Sequence, residues 1–127
     1  MPQAKILIVE DEFIIAEMMK QALEAAGLGK CRHAGSVADA MRALDKGGWG
    51  AALLDIRLGG DFVFPVAEAL HARGVPFAFC SGAADGSDIP ESLAHAPFLQ
   101  KPWPSGDLER ITADLLELTN QPATTPL

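Results

Sequence analysis

The chain has 127 residues, 49% of them hydrophobic and 21% charged, with a net charge of −7. That length and balance fit one globular domain with its own core and exclude a disordered chain. The acidity argues against a basic face for nucleic-acid phosphates.

Lys5–Val9 is a short aliphatic run ending at Glu10 and Asp11, and reads as a strand buried on both faces. Phe13–Ala26, rich in Ala, Met, Leu, Ile and Glu, reads as a helix stopped at Gly27. Its expected core stripe is Ile15, Met19, Ala22 and Ala26, which leaves Ile14 and Met18 outward. Cys31–Gly35 is a weak strand, and Ser36 with Asp39 resembles a capping box opening a helix to about Lys46. Ala51–Leu54 is a buried strand ending at Asp55, and Leu58-Gly59-Gly60 reads as a loop. Val66–Arg73 is a helix with Pro65 in its first turn and Gly74 after its end. Phe77–Cys80 is a strand ending at Ser81-Gly82, and Ala83–His95 reads as a loop with a short helix. Phe98–Gln100 is a short strand before Lys101-Pro102, and Asp107–Leu118 is a closing amphipathic helix. The expected domain is 1–119, with a flexible tail over 120–127.

Cys31 and Cys80 lack metal-ligand spacing and sit in apolar stretches, so both read as core residues of a reduced, cytoplasmic protein. There is no basic segment leading into a long apolar run and no stretch of about 18 apolar residues, so neither a secretory signal nor a membrane span is expected.

Strands alternating with helices through short connections argue for a parallel sheet covered on both faces. Ligands in such folds bind beyond the carboxyl ends of the strands. There the chain places Glu10 and Asp11 after the first strand, Asp55 after the third, Ser81 after the fourth and Lys101 after the fifth. Three crowded carboxylates repel one another and call for a hard divalent cation such as Mg²⁺. A carboxylate is also a nucleophile towards phosphorus. An ammonium, a hydroxyl and a cation can together stabilise the three equatorial oxygens of a transferring phosphoryl group.

This ordered set, with separations of 44, 26 and 20 residues between Asp11, Asp55, Ser81 and Lys101, resembles the receiver domain of two-component response regulators. The resemblance runs from about Lys5 to Leu118. It implies a CheY-like, flavodoxin-like (βα)5 fold with strand order 2-1-3-4-5. It also implies Mg²⁺ held by Glu10, Asp11, Asp55 and the backbone carbonyl of Arg57. Asp55 would accept a phosphoryl group from a histidine kinase or histidine phosphotransfer protein, and Ser81 and Lys101 would read it. Phe98 would stand as the aromatic switch, the Lys101–Pro102 bond would be cis, and a partner helix would dock at Ile14 and Met18. The chemistry implied is self-phosphorylation and self-dephosphorylation rather than turnover, in a stand-alone regulator. The stretches 55–60, 63–67, 74–77 and 79–82 resemble the single-domain receivers of alphaproteobacteria. The chain departs from that subgroup at Cys80, Ser81 and Ala84, where Ala, Thr and Tyr are expected.

Three other functions are weighed. An aspartyl-nucleophile phosphohydrolase presents D-x-D after its first strand, whereas this chain has Glu10-Asp11-Glu12. A flavin-binding module needs a phosphate loop there, which an acidic pair opposes. A phosphate-independent binding module has no use for the full set of five residues.

Overall fold

The computed structural model describes residues 3–82 and 87–120. Five strands form one parallel sheet: β1 (Lys5–Val9), β2 (Lys30–Ala34), β3 (Trp49–Leu54), β6 (Phe77–Ser81) and β7 (Phe98–Gln100), in the order β2-β1-β3-β6-β7. Four α-helices cover it: α1 (Phe13–Ala25), α2 (Val37–Asp45), α3 (Phe64–Ala72) and α4 (Asp107–Asn120). This is the expected doubly wound architecture, with a two-stranded hairpin, β4 (Arg57–Leu58) and β5 (Asp61–Phe62), added after β3.

Side-chain alternation along the strands divides the core into two layers. Leu7, Val9, Ala52, Leu54, Phe77 and Phe79 face α2 and α3, meeting Ala40, Leu44, Val66 and Leu70. Ile6, Ile8, Ala51, Leu53, Ala78 and Cys80 face α1 and α4, meeting Met19, Leu23, Leu108 and Leu115. Every residue of β3 is buried, and each fully buried Leu or Ile contributes about 1.5–3 kcal/mol relative to exposure. Both cysteines are buried and unpaired. Burial pushes the Cys31 thiol up to about 11 and the Cys80 thiol up to about 12. Neither is therefore a thiolate nucleophile at neutral pH.

Local rules account for the element ends. The Ser36 hydroxyl accepts the Asp39 N–H at 3.1 Å and caps α2, while the Asp39 carboxylate pairs with Arg42. Pro65 lies in the first turn of α3, where no intrahelical donor is needed. Gly27 has φ +74°, and its N–H bonds to the Glu24 carbonyl to end the first helix. Gly29 is required by proximity instead, because an added Cβ would lie 2.6 Å from the Ala4 carbonyl oxygen.

Four sequence expectations are corrected. The α1 face that meets the sheet is Ala16, Met19 and Leu23, with Ile15 and Ala22 at its flanks and Ala26 exposed. β3 begins at Trp49 rather than Ala51, because Lys5 of β1 pairs with Trp49 before a register shift. Residues 57–62 close on themselves as a hairpin around Gly59-Gly60 rather than forming a plain loop. α3 begins at Phe64, two residues before the expected start. Between β6 and β7 the described residues include 3-10 backbone at 87–88 and a 3-10 turn at Glu91–Leu93, the latter anchored by buried Leu93. Ala84 and residues 121–127 lie outside the described residues, as does most of the expected tail.

Candidate phosphoryl-transfer site

The sheet order reverses direction between β1 and β3, and the crevice at that switch point opens beyond their carboxyl ends. Parallel pairing aligns Val9 with Ala34 on one side and Leu54 on the other. Glu10 and Asp55 therefore emerge as neighbours. Their backbones are tied down: the Glu10 N–H donates to the Ala34 carbonyl at 3.1 Å, and the Asp55 N–H to the Val9 carbonyl at 2.8 Å. On the β6–β7 side, the Lys101 N–H donates to the Ser81 carbonyl at 2.8 Å. The Lys101–Pro102 peptide is cis.

The side chains converge. Lys101 Nζ donates to Glu10 Oε1 at 2.5 Å and to Asp55 Oδ2 at 3.2 Å. The Ser81 hydroxyl donates to Asp55 Oδ1 at 2.5 Å and accepts the Ile56 N–H at 2.9 Å. Asp11 is exposed, and its Oδ2 accepts the Gly59 N–H at 2.9 Å, so the hairpin turn holds it in place. Carboxylate oxygens of Glu10, Asp11 and Asp55 lie within 4.8 Å of one another. Glu10 is 1% exposed, yet its Oε2 has no hydrogen-bond partner. A buried carboxylate oxygen without a partner is costly. A hard cation would satisfy it and offset the excess of three carboxylates over one ammonium. The donor set is all oxygen, as Mg²⁺ or Ca²⁺ requires, and lacks the nitrogen or sulfur ligands that favour zinc.

Electrostatics set the two buried acids apart. Burial, reinforced by the adjacent Asp55 carboxylate and opposed by Lys101, pushes Glu10 up to about 8. Burial acts on Asp55 in the same direction, but its contacts with Glu10, Ser81 and Lys101 outweigh it and hold Asp55 below the usual carboxylate range. Burial tends to lower Lys101, yet Glu10 and Asp55 raise it above the ordinary lysine value. In the metal-free site the proton of the pair stays on Glu10 and the negative charge on Asp55. Asp55 is thus an ionised carboxylate at neutral pH, next to a cation and a hydroxyl donor.

Glu10, Asp11, Asp55, Ser81 and Lys101 are all brought together. Arg57 lies in β4, where its side chain pairs with Asp88 at 3.3 Å and covers the Phe62 ring. Phe98 is half-buried beside Phe79 in the β6–β7 register and packs on the core. Ile14 and Met18 lie on the outer face of α1, 73% and 65% exposed. The sequence did not reveal the role of His33. Its Nε2 lies 2.6 Å from the Glu10 carbonyl oxygen, so the end of β2 fixes both backbone polar groups of Glu10.

Comparison with known proteins agrees with this geometry. Residues 6–113 match the family model for the response regulator receiver domain. Among solved structures, the chain is similar to SdrG from Sphingomonas melonis Fr1 at 37% identity and a TM-score of 0.73, covering 92% of this chain and 96% of that one. A beryllofluoride-activated conformation of SdrG, from Pseudomonas melonis Fr1, matches at 38% identity and a TM-score of 0.73, covering 91% and 98%. A CheY-like receiver domain from Methylobacillus flagellatus matches at 25% identity and a TM-score of 0.75, covering 89% and 98%. Curated protein sequences give no significant match. No helix among the described residues is long and apolar enough to cross a membrane.

Proposed function

The chain belongs to the response regulator receiver domain family, and from that premise we propose that it is a stand-alone phosphoryl acceptor, modified on Asp55 in a two-component phosphorelay. The observation that carries this reading is the environment of Asp55. One carboxylate oxygen meets the Ser81 hydroxyl, the other meets the Lys101 ammonium, and both sit beside the Glu10–Asp11 acids.

Glu10, Asp11 and Asp55 would hold Mg²⁺, together with the backbone carbonyl of Arg57. When bound, the ion supplies charge neutralisation at a phosphoryl oxygen. The chain's own groups do the rest. An Asp55 oxygen attacks the phosphorus of a phosphohistidine on a histidine kinase or phosphotransfer protein. The O–P bond forms, the P–N bond breaks, and the imidazole keeps the electron pair and takes up a proton. Lys101 and Ser81 then turn from the carboxylate to the new phosphoryl oxygens, which concentrate more charge. Moving Ser81 frees its contact with Ile56 and opens space in which Phe98 can turn inward. The protein performs only this transfer and the hydrolysis of its product, in which water takes the phosphoryl group as inorganic phosphate and the Asp55 carboxylate is regenerated, without turnover of a free substrate.

The outer face of α1 is the proposed docking site for the phosphodonor helix. Phe13, Ile14 and Met18 are each at least 65% exposed, and Met18 borders a cleft of about 450 Å³ with Ile15, Lys101, Pro102 and Trp103. An apolar patch at the rim of the site suits an amphipathic helix. Ile14→Lys is expected to slow transfer from the donor protein about tenfold or more, since burying an unpaired ammonium costs over 1.4 kcal/mol, while labelling by acetyl phosphate stays normal. Unchanged transfer from the donor protein would contradict the docking site.

Beryllofluoride, a tetrahedral phosphoryl mimic, tests the function. With Mg²⁺ it is expected to shift the amide resonances of Ser81 and Lys101 in the wild type and to leave Asp55→Ala unshifted. A wild type that does not respond contradicts the proposal.

A further inference from the structure

The cations of this acidic chain are segregated. Arg42, Arg57, Arg73, Lys101 and Arg110 each pair with a carboxylate. Among the described residues, Lys5, Lys20, Lys30, Arg32 and Lys46 do not, and all five gather around the amino-terminal ends of β1, β2 and β3. Two clefts share a wall there made by Lys5, Arg32 and Trp49. One, of about 440 Å³, is lined by Lys5, Lys20, Lys30, Cys31, Arg32 and Trp49, four of them cations, with the Glu24 carboxylate beside it on the Cys31 N–H. The other, of about 260 Å³, adds Arg42 and Lys46, and its one acid, Asp39, is already bound by Arg42.

Four cations around one small cleft in a protein of charge −7 repel one another unless something neutralises them. Lysines on an edge strand can serve only to prevent edge pairing, and β2 is an edge strand. That role explains Lys30 and does not explain Lys5 on β1, Lys20 on α1 or Lys46 after α2. An added peptide strand is a poor occupant, because the Cys31 N–H on this edge is already bound at 2.9 Å by the Glu24 carboxylate. The floor is rigid. Trp49 is buried with its indole N–H on the Ala43 carbonyl at 2.9 Å, and Lys5 Nζ lies 4.3 Å over its ring. A cleft of this volume is of small-ligand size. A phosphoryl group carries about 1.5–2 negative charges at pH 7, so two of them match the four cations in the space available. Arg32 offers a planar fork for phosphoryl oxygens, and the lysines act as point charges.

We propose that this cleft is a second binding site, taking a small soluble anion with two or more phosphoryl groups. It lies at the end of the sheet opposite Asp55, about 16 Å away along the five residues of β1. Occupancy is therefore compatible with phosphorylation, and the inference does not depend on the receiver reading.

The test is an amide and indole NMR titration of the full chain without Mg²⁺, in 150 mM salt, using pyrophosphate and, separately, a nucleoside diphosphate. Shifts are expected at Lys5, Lys30, Arg32 and the Trp49 indole. Lys30→Glu with Arg32→Glu, both at exposed positions, is expected to weaken binding about tenfold or more, and Lys46→Glu to weaken it less. Arg110→Glu, on α4 and outside the lining of both clefts, is the control and leaves binding unchanged. Overturning results are shifts centred on Ser81 and Lys101, equal affinity in the double variant, the same response to sulfate at matched ionic strength, or tighter binding of a poly-glutamate peptide.

Discussion

Replacing Lys101 with alanine is expected to slow phosphoryl transfer to Asp55 about 100- to 1,000-fold, the usual loss when one preorganised charge-stabilising donor is removed. Lys101 Nζ is positioned by Glu10 Oε1 at 2.5 Å as well as by Asp55 Oδ2 at 3.2 Å. It is therefore in place before the donor arrives. The same substitution takes one positive charge away from three clustered carboxylates, so Mg²⁺ binding should be retained or tightened. Measuring transfer rate and Mg²⁺ affinity on the same variant separates the two roles. A variant that transfers normally would show that Lys101 only neutralises the acids. Lys101→Arg is expected to restore part of the rate, since it keeps the charge but substitutes a wide planar fork for a point charge.

Mg²⁺ affinity is expected to fall steeply as the pH drops below about 8, by about tenfold per unit, because the ion must displace one proton from Glu10. Glu10 is pushed up to about 8 in the metal-free site, whereas Asp55 is held below its ordinary value and is already ionised. A group with a raised folded-state value binds its proton more tightly when folded. Its contribution to metal-free stability is complete below the ordinary Glu value of 4.5 and is lost as the pH rises through about 8. The melting temperature without metal should therefore decline from pH 5 to 8, and the increment from saturating Mg²⁺ should grow over the same range. Isothermal titration at several pH values checks both the slope and the released proton. Affinity independent of pH from 6 to 8 would place the Glu10 proton elsewhere.

The centre of the sheet was legible in the sequence because β1, β3 and β6 are buried on both faces and end at charged or turn residues. Lys5–Val9 and Phe77–Ser81 need no partner to be recognised. Trp49-Gly50 was missed at the start of β3 because glycine reads as a breaker, while here it fits beneath α4, with an added Cβ only 3.0 Å from Leu116. The Arg57–Leu58 and Asp61–Phe62 hairpin was missed because two-residue strands carry no periodicity. The inner face of α1 was placed about one residue off at Ala16 and Leu23, since a helix this apolar offers several faces to a core. The segment Ala83–His95 was legible as a loop with a short helix, and its described part holds 3-10 backbone alone, at 87–88 and Glu91–Leu93.

The five site residues were legible for a different reason. Parallel strands end on one rim, so residues 10, 11, 55, 81 and 101 become neighbours whatever their separation in the chain. What supports them was not legible. The His33 contact to the Glu10 carbonyl depends on the β1–β2 register, and the Gly59 N–H on Asp11 depends on the hairpin. The segregation of unpaired cations around Trp49 depends on which acids the fold brings to the other basic residues.

The most direct test of the central claim is the intact mass of the protein after incubation with acetyl phosphate, with and without Mg²⁺, on the wild type and on Asp55→Ala. A gain of one phosphoryl group that requires Mg²⁺ and is absent from Asp55→Ala is the predicted result. A wild type that gains nothing in the presence of Mg²⁺, or an Asp55→Ala variant that is labelled equally, would contradict it.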